Sequence, residues 1–330
     1  MLFFLYVILC VVIFYVFILL FPTRRKKEIR HILADLNKLK KDPNFKNKYA
    51  VAESIVFFKS MRFISIYVWW IVFRAFRLNR DNLLEISDYP FSDWEGRLHK
   101  KLLEMEKRSF PGLLDPLRKK IKEEIVSYSG AGNQILIDLG CGSMEVERQI
   151  IESLDSRNTF IFVGIDYSSV ALIHLKDNLK DLISNNIVEF LELDSVNDEV
   201  LNALRSKRLV MPLIVFARND VLELDKFIRK KADIVFYSKF RHHLSSGHKI
   251  LLDDVVKKIS RKVIEYDDYR SFGNMVMPSI FSWLHPPLLD GAIISRLRDP
   301  SIKELNSYKD RGWDVEYYYK IGSYTKIYNG

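Results

Sequence analysis

Cysteine is nearly missing from this chain: two occur among 330 residues, Cys10 inside an apolar run and Cys141 beside glycines. A disulfide framework is thereby excluded, and a reducing compartment fits better than secretion. No internal repeat or low-complexity tract is present, and with 48% hydrophobic and 28% charged side chains the chain has the material for a real core. Positive charge is lacking where a nucleic-acid enzyme needs it. The formal charge is +9, but residues 22–80 hold 15 Lys and Arg against 4 Asp and Glu, or +11, which leaves 36 against 38, or −2, for residues 81–330. Phosphate tracking requires cations on the domain that carries the site, so the charge pattern argues against nucleic acid as a partner.

Charge is also absent from Met1 to Phe21. A helix of that length covers roughly 31 Å at ~1.5 Å per residue, about the hydrocarbon thickness of a bilayer. A cleaved signal peptide is the alternative, but no basic n-region and no small-x-small site accompany the run. Residues 1–21 are therefore expected to form a retained transmembrane anchor. Arg24, Arg25, Lys26, Lys27 and Arg30 follow at once, and the positive-inside bias puts them, and all that follows, on the cytoplasmic side of a single-pass membrane protein.

Residues 22–127 read as a basic juxtamembrane and helical connecting region. Within it, residues 63–73 (FISIYVWWIVF) are too few to span and are bracketed by Lys59, Arg62, Arg74 and Arg77. Tyr67, Trp69 and Trp70 suit the headgroup level, so the segment reads as interfacial on a lipid surface, with a buried helix or a second span as alternatives. Residues 82–127 read as helical with breaks near Pro90, Pro111 and Pro116, covering one side of the domain that follows.

The chemistry begins at Gln134 to Leu139 (QILIDL), a short strand followed by Gly140-Cys141-Gly142-Ser143 and a helix-compatible stretch from Met144 to Leu154. Phe160 to Ile165 (FIFVGI) is a second strand ending in Asp166, and a helix runs on to about Ile183. Strands alternating with helices argue a parallel sheet that binds ligand at the carboxyl ends of its strands. A glycine turn with an acid closing the second strand suits a nucleoside, the carboxylate accepting from ribose hydroxyls. Glu145 and Glu147 in the first helical turn would repel a diphosphate, which argues against a dinucleotide.

These residues resemble the class I S-adenosylmethionine (SAM)-dependent methyltransferases, whose first motif reads strand, then D-x-G-x-G-x-G, with an acid closing the second strand. Asp138, Gly140, Gly142 and Asp166 match. The likeness continues through Pro212 to Leu224 as third strand with Asp220 on the adenine side, Ala232 to Leu244 as fourth strand and acceptor loop, Lys262 to Asp268 as fifth, and Gly312 to Tyr328 as a closing antiparallel hairpin turning near Gly322. Ile187 to Leu193 with Asp194 is the alternative third strand. Met144 stands where the family has its third glycine, so a side chain is expected at the methionine end of the cofactor.

The resemblance implies an α/β, Rossmann-like class I methyltransferase sheet over residues 128–330, mostly parallel, preceded by the transmembrane helix and the helical juxtamembrane region. It implies SAM as cofactor, held by Asp138, Gly140, Cys141, Gly142, Asp166, Tyr167, Asp220 and Val221, and no metal. His242 and His243 after the fourth strand are candidate general bases or loop-packing residues, and Asp267 in the corresponding position after the fifth is a second catalytic candidate or part of a solvated acidic turn. An apolar stretch, 274–300, is either acceptor lining or core, and Arg296 and Arg298 are either contacts for an anionic headgroup or ordinary solvated arginines. The function expected is a membrane-anchored methyltransferase acting on a lipid-like or membrane-associated small molecule. An RNA methyltransferase and a non-catalytic SAM-fold scaffold are the alternatives.

Overall fold

The computed structural model describes residues 41, 112, 114–128, 132–154, 160–166, 169–229, 232–271, 298–319 and 322–330. All but Lys41 belong to one compact unit. The expected anchor at 1–21, the segment 63–73, Tyr167 and Arg296 lie outside the described residues. No helix among the described residues is long and apolar enough to cross a membrane.

In chain order the elements are α1 (Asp115–Ser127), β1 (Gln134–Leu139), α2 (Glu145–Ser153), β2 (Phe160–Ile165), α3 (Ser169–Ser184), β3 (Glu189–Leu193), α4 (Asp198–Ser206) and β4 (Leu213–Ala217). A 3-10 helix (Val221–Lys226), β5 (Ala232–Ser238), a 3-10 turn (Arg241–His243), α5 (Ser246–Ile259), β6 (Ser260–Asp268), α6 (Ile302–Lys309), β7 (Trp313–Tyr318) and β8 (Ser323–Asn329) complete them. Every residue of β1, β2 and β4 is buried, the continuous apolar run that a parallel strand covered on both faces demands.

The eight strands form one sheet in the order β3-β4-β2-β1-β5-β6-β8-β7. The first six are parallel, and β8 returns antiparallel to β6 with β7 outside it. The order reverses at β1, whose neighbours β2 and β5 lead away on opposite sides, and an open α/β sheet binds ligands at such a point. Register aligns the carboxyl ends: Leu139 pairs with Ile165, Ile165 with Ala217 and Ala217 with Leu193. The chain leaves all four strands at one edge, so the residues that follow them form a row.

Alternate residues of each strand enter two cores. Ile135, Ile137 and Leu139 face α4, α5 and α6, while Leu136 joins Phe160, Phe162 and the helices α1, α2 and α3. Each such side chain contributes roughly 1.5–3 kcal/mol on burial. A helix boundary falls at Pro116, as expected. The proline lies in the first turn of α1, where its missing N–H has no intrahelical acceptor to lose. Leu117, Ile121 and Ile125 bury one face of α1, and Lys262 reaches Glu124 across to β6.

Both strand candidates between Asp166 and Ala232 form. β4 takes the place beside β2, and β3 is added outside it at the sheet edge. The half-exposed pattern of β3 agrees, with Glu189 and Glu192 facing solvent.

A balanced ionic network lies inside the sheet between β5, β6, β8 and the helices α5 and α6. Arg241 donates to both oxygens of Asp253 at 2.5 and 2.8 Å, and Lys326 sits 2.8 Å from Glu265 and 3.2 Å from Asp253. Tyr237 donates to Glu265 at 2.7 Å and Tyr308 to Asp253 at 3.1 Å. Burial alone would raise the Asp253 carboxyl, but Lys326 and then Arg241 bring it down to about 2. Removing one member leaves an uncompensated buried charge, so Asp253→Asn is expected to lower unfolding free energy by roughly 3–5 kcal/mol at neutral pH. Asp253 holds its proton less tightly when folded than its ordinary value of 3.8. Its contribution of about 2 kcal/mol is therefore complete above pH ~4 and lost as the pH falls toward 2. Urea titrations between pH 7 and pH 2 are expected to show a shallower acid decline in Asp253→Asn.

Candidate functional site

The turn after β1 is built from three left-handed residues in five: Gly140 (φ 67°), Gly142 (φ 51°) and Met144 (φ 52°). Gly140 needs its missing Cβ because the Phe240 ring stands 2.5 Å from where one would be. Its N–H donates to the Ile165 carbonyl at 2.8 Å, pinning the turn to the end of β2. Gly142 is different: a Cβ there would meet nothing within 4 Å. Its N–H donates to Asp166 Oδ2 at 3.2 Å, so the acid ending β2 and the second glycine face one another beside open space.

Met144 is not at the cofactor end of the turn. Its side chain is fully buried and drops through the sheet face onto β2, its Cε lying 2.0 Å from where a Cβ on Gly164 would be. Cys141 packs against the same glycine, Sγ 2.7 Å from that point. A left-handed non-glycine residue costs ~1–2 kcal/mol, and burying the thioether against Gly164 offsets it. The expectation of a side chain facing the cofactor is overturned by this inward rotation. Helix α2, which starts here without a side-chain cap, is fastened to α3 by Arg148, which meets Asp181 through two 2.7 Å bonds. Asn178 donates to the Ser143 carbonyl at 2.8 Å.

Glu147, expected at the helix mouth, is also turned inward. It is fully buried opposite Asp138, because two residues along a helix rotate a side chain by about 200° from its neighbour's face. Burial, then Glu147 and Asp166, push Asp138 well above the usual carboxylate range. Burial also raises Glu147, against the hydrogen bond with Asp138, which lowers it. Cys141, raised chiefly by burial, stays a thiol. Of the two acids in the first turn, Glu145 is the one left partly accessible.

Farther along the row, Asp220 follows β4, is exposed, and accepts from Leu222 N at 2.9 Å, capping the 3-10 helix that begins with Val221. Its neighbour Asn219 is buried and accepts from Val196 N at 2.9 Å. Asp194 is exposed one strand farther from β1.

On the other side of β1 the structure joins residues that the sequence shows only as separate candidates. His242 and Asp267 are both buried, with His242 Nδ1 2.7 Å from Asp267 Oδ1 and the His242 N–H donating to Oδ2 at 3.2 Å. A carboxylate at Nδ1 holds the proton there in the neutral ring and leaves Nε2 as the acceptor. Burial would raise Asp267, but His242 holds it below its ordinary value. The His243 ring lies tilted against His242, 4.2 Å between ring centres, and the His243 carbonyl accepts from Arg298 at 2.9 Å. Arg298 is thus buried in the protein, not set for a headgroup; Lys249 donates to its carbonyl and holds the segment on α5.

His242, Asp267 and Asp299 each present one ligand-type atom, all within 4.8 Å of one another. The donor set suits a divalent metal in kind. Asp267, however, already accepts three bonds, the third from Asp268 N at 2.8 Å. Lys249, lowered to about 8 by burial and then by Arg241, lies in the field of Asp299 and Asp267, so protein cations balance these carboxylates.

Phe240 and Asp299 are not legible in the sequence as site residues. A signal did exist for the Met144 arrangement, since a lone glycine inside a strand, Gly164, marks a close approach.

No family model and no curated protein matches the chain. Among solved structures it is similar to the small RNA methyltransferase HEN1, at 14% identity and a TM-score of 0.44 over 67% of this chain and 25% of that one. It is also similar to the plantazolicin methyltransferase BamL in complex with a triazolic desmethylPZN analog and SAH (12%, 0.43, 76% and 79%). A third is magnesium protoporphyrin IX methyltransferase (ChlM) from Synechocystis PCC 6803 with bound SAM (10%, 0.36, 64% and 76%). The chain spans a quarter of the HEN1 chain's length. At such identities the likeness reaches no further than the fold, and function has to be argued from this chain's own residues.

The Met144–Gly164 interlock makes a direct expectation. Gly164→Ala forces Met144 and Cys141 to move and is expected to lose about 1–3 kcal/mol. Met144→Ala alone loses packing, while the Met144→Ala/Gly164→Ala pair loses less than the sum of the two. Equilibrium urea unfolding of the four proteins gives the coupling.

Proposed function

We propose that the chain is a SAM-dependent methyltransferase held at a membrane and acting on a lipid-like or membrane-associated acceptor. The observation that carries the reading is the turn Gly140–Met144, with Gly142 open to solvent space and its N–H on Asp166 at the topological switch of the sheet. These residues fit the group. Asp166 would accept from ribose hydroxyls, Gly142 would let the cofactor approach the backbone, and Asp220 with Val221 would hold the adenine, while Cys141 packs inward beneath the turn. When bound, the cofactor supplies an electrophilic methyl on a sulfonium. The protein's part is to hold an acceptor in line and exclude water. His242, oriented by Asp267, is the base that takes a proton from a hydroxyl acceptor.

Met144 is the ground for a non-catalytic scaffold, and its buried side chain removes the obstruction on which that alternative rests. The membrane part is supported by the uncharged run Met1 to Phe21 and the cations from Arg24 to Arg30. A tether raises the effective concentration of the site at the bilayer. The RNA alternative is weakened by the −2 balance of residues 81–330.

Titration calorimetry with SAM is expected to show Asp166→Ala binding about ten- to a hundredfold more weakly, the loss of charge-assisted bonds worth roughly 1.5–3 kcal/mol. Asp194→Ala is expected to leave affinity unchanged, and an unaffected Asp166→Ala would sink the nucleoside reading. Labelled methyl from SAM should enter a total lipid extract in preference to total RNA. A protein lacking residues 1–21 should still bind anionic vesicles at low salt and release them as salt rises; no binding at low salt refutes the basic interfacial region.

A further inference from the structure

Three non-glycine residues among the described ones have left-handed backbones: Met144, Asn186 and Lys239. Asn186 is a turn residue of the type that tolerates this conformation. Met144 is compensated by burial against Gly164. Lys239, at φ 51°, has neither reason. It is the first residue after β5, directly before the Phe240 ring that covers Gly140 of the cofactor turn. Its N–H donates to the Tyr266 carbonyl at 2.9 Å, which locks the strained backbone to β6.

The side chain is directed along the carboxyl edge of the sheet. Its ammonium pairs with Asp268 and lies 5.4 Å from the centre of the Tyr266 ring. Asp268 in turn accepts from Ser323 at 2.5 Å. The Lys239 side chain keeps 26% of its surface accessible, against 6% for Asp268. A lysine reaches a carboxylate from almost any backbone conformation, so the pair alone does not require the left-handed one. Strain of this kind persists where the surrounding structure over-determines it, and such places cluster at functional sites.

We propose that Lys239 is a specificity-determining residue of the acceptor site and that the acceptor atom is an oxygen, of a hydroxyl or carboxylate, and not an amine. The inference rests on the methyltransferase reading above and names the acceptor class for that same site. An ammonium held at the carboxyl edge of the sheet, on the strand beside the one that carries the cofactor turn, repels a protonated amine and stabilises the negative charge that develops on oxygen. For a hydroxyl, the proton passes to His242 Nε2 and an oxygen lone pair forms the O–CH3 bond. The methyl's C–S bond breaks as its pair returns to sulfur, leaving a neutral thioether. A carboxylate needs no base.

The test uses the full chain, labelled SAM, and the total lipid and total RNA pools, with products assigned as O-, N- or C-methyl by mass spectrometry. Asp268→Asn keeps the ammonium, and Lys239→Met/Asp268→Asn removes both charges while sparing the fold a lone buried carboxylate. O-methyl product is expected from the wild type. Asp268→Asn should transfer within about threefold of it, and the double variant at least tenfold more slowly with a raised acceptor KM. Calorimetric SAM affinity and urea midpoint should be unchanged between the two variants. N- or C-methyl product, or equal transfer by both variants, overturns the inference and leaves the methyltransferase reading standing. Absence of SAM binding, or binding without transfer to either pool, overturns both.

Discussion

The candidate site depends on one packing contact, the Met144 side chain in the slot that Gly164 leaves open on β2. A left-handed methionine at the start of a helix is costly on its own, and a glycine inside a fully buried strand forgoes a side chain's worth of apolar burial. Together the two become one interlock. It fixes where α2 begins, turns Glu147 inward onto Asp138, and leaves the outer side of the turn to Gly142, which faces open space. Phe240 closes the arrangement from β5 by lying over Gly140.

The acceptor side is held by a different force. Arg241 belongs to the buried network with Asp253, Glu265 and Lys326, and His242 is the next residue in the chain. Two cations and two anions in an apolar interior stabilise little against a well-packed hydrophobic alternative. Their orientation, however, is tightly determined, because each misplaced member would leave a buried charge. That determinacy passes to the 3-10 turn, so the His242 ring meets Asp267 with one tautomer and one direction. A cofactor edge set by van der Waals contact and an acceptor edge set by electrostatics flank the same strand, β1.

Much of this could be read from the chain. QILIDL and FIFVGI became β1 and β2 at the expected residues, and the closing hairpin turns next to Gly322, since apolar runs bounded by turn residues carry strong local information. Asp138, Gly140, Gly142 and Asp166 could be named because the spacing of a glycine turn is itself local. The place of β3 could not: two apolar strands in succession are each compatible with a position beside β2, and only pairing decides that β4 takes it and β3 lies outside.

By itself the sequence determined the first two strands and the closing hairpin, which turn must be glycine-rich, and that an acid ends the second strand, because periodicity and turn chemistry act over a few residues. Tertiary structure alone decided that Met144 faces Gly164 and not the cofactor, that Glu147 lies inside, that Arg298 is buried, and that His242 and Asp267 are partners. Those facts depend on contacts between positions twenty or more residues apart, or on the rotation of a helix about its axis. The energies that select among such contacts are burial and desolvation, and neither exists until the sheet has formed.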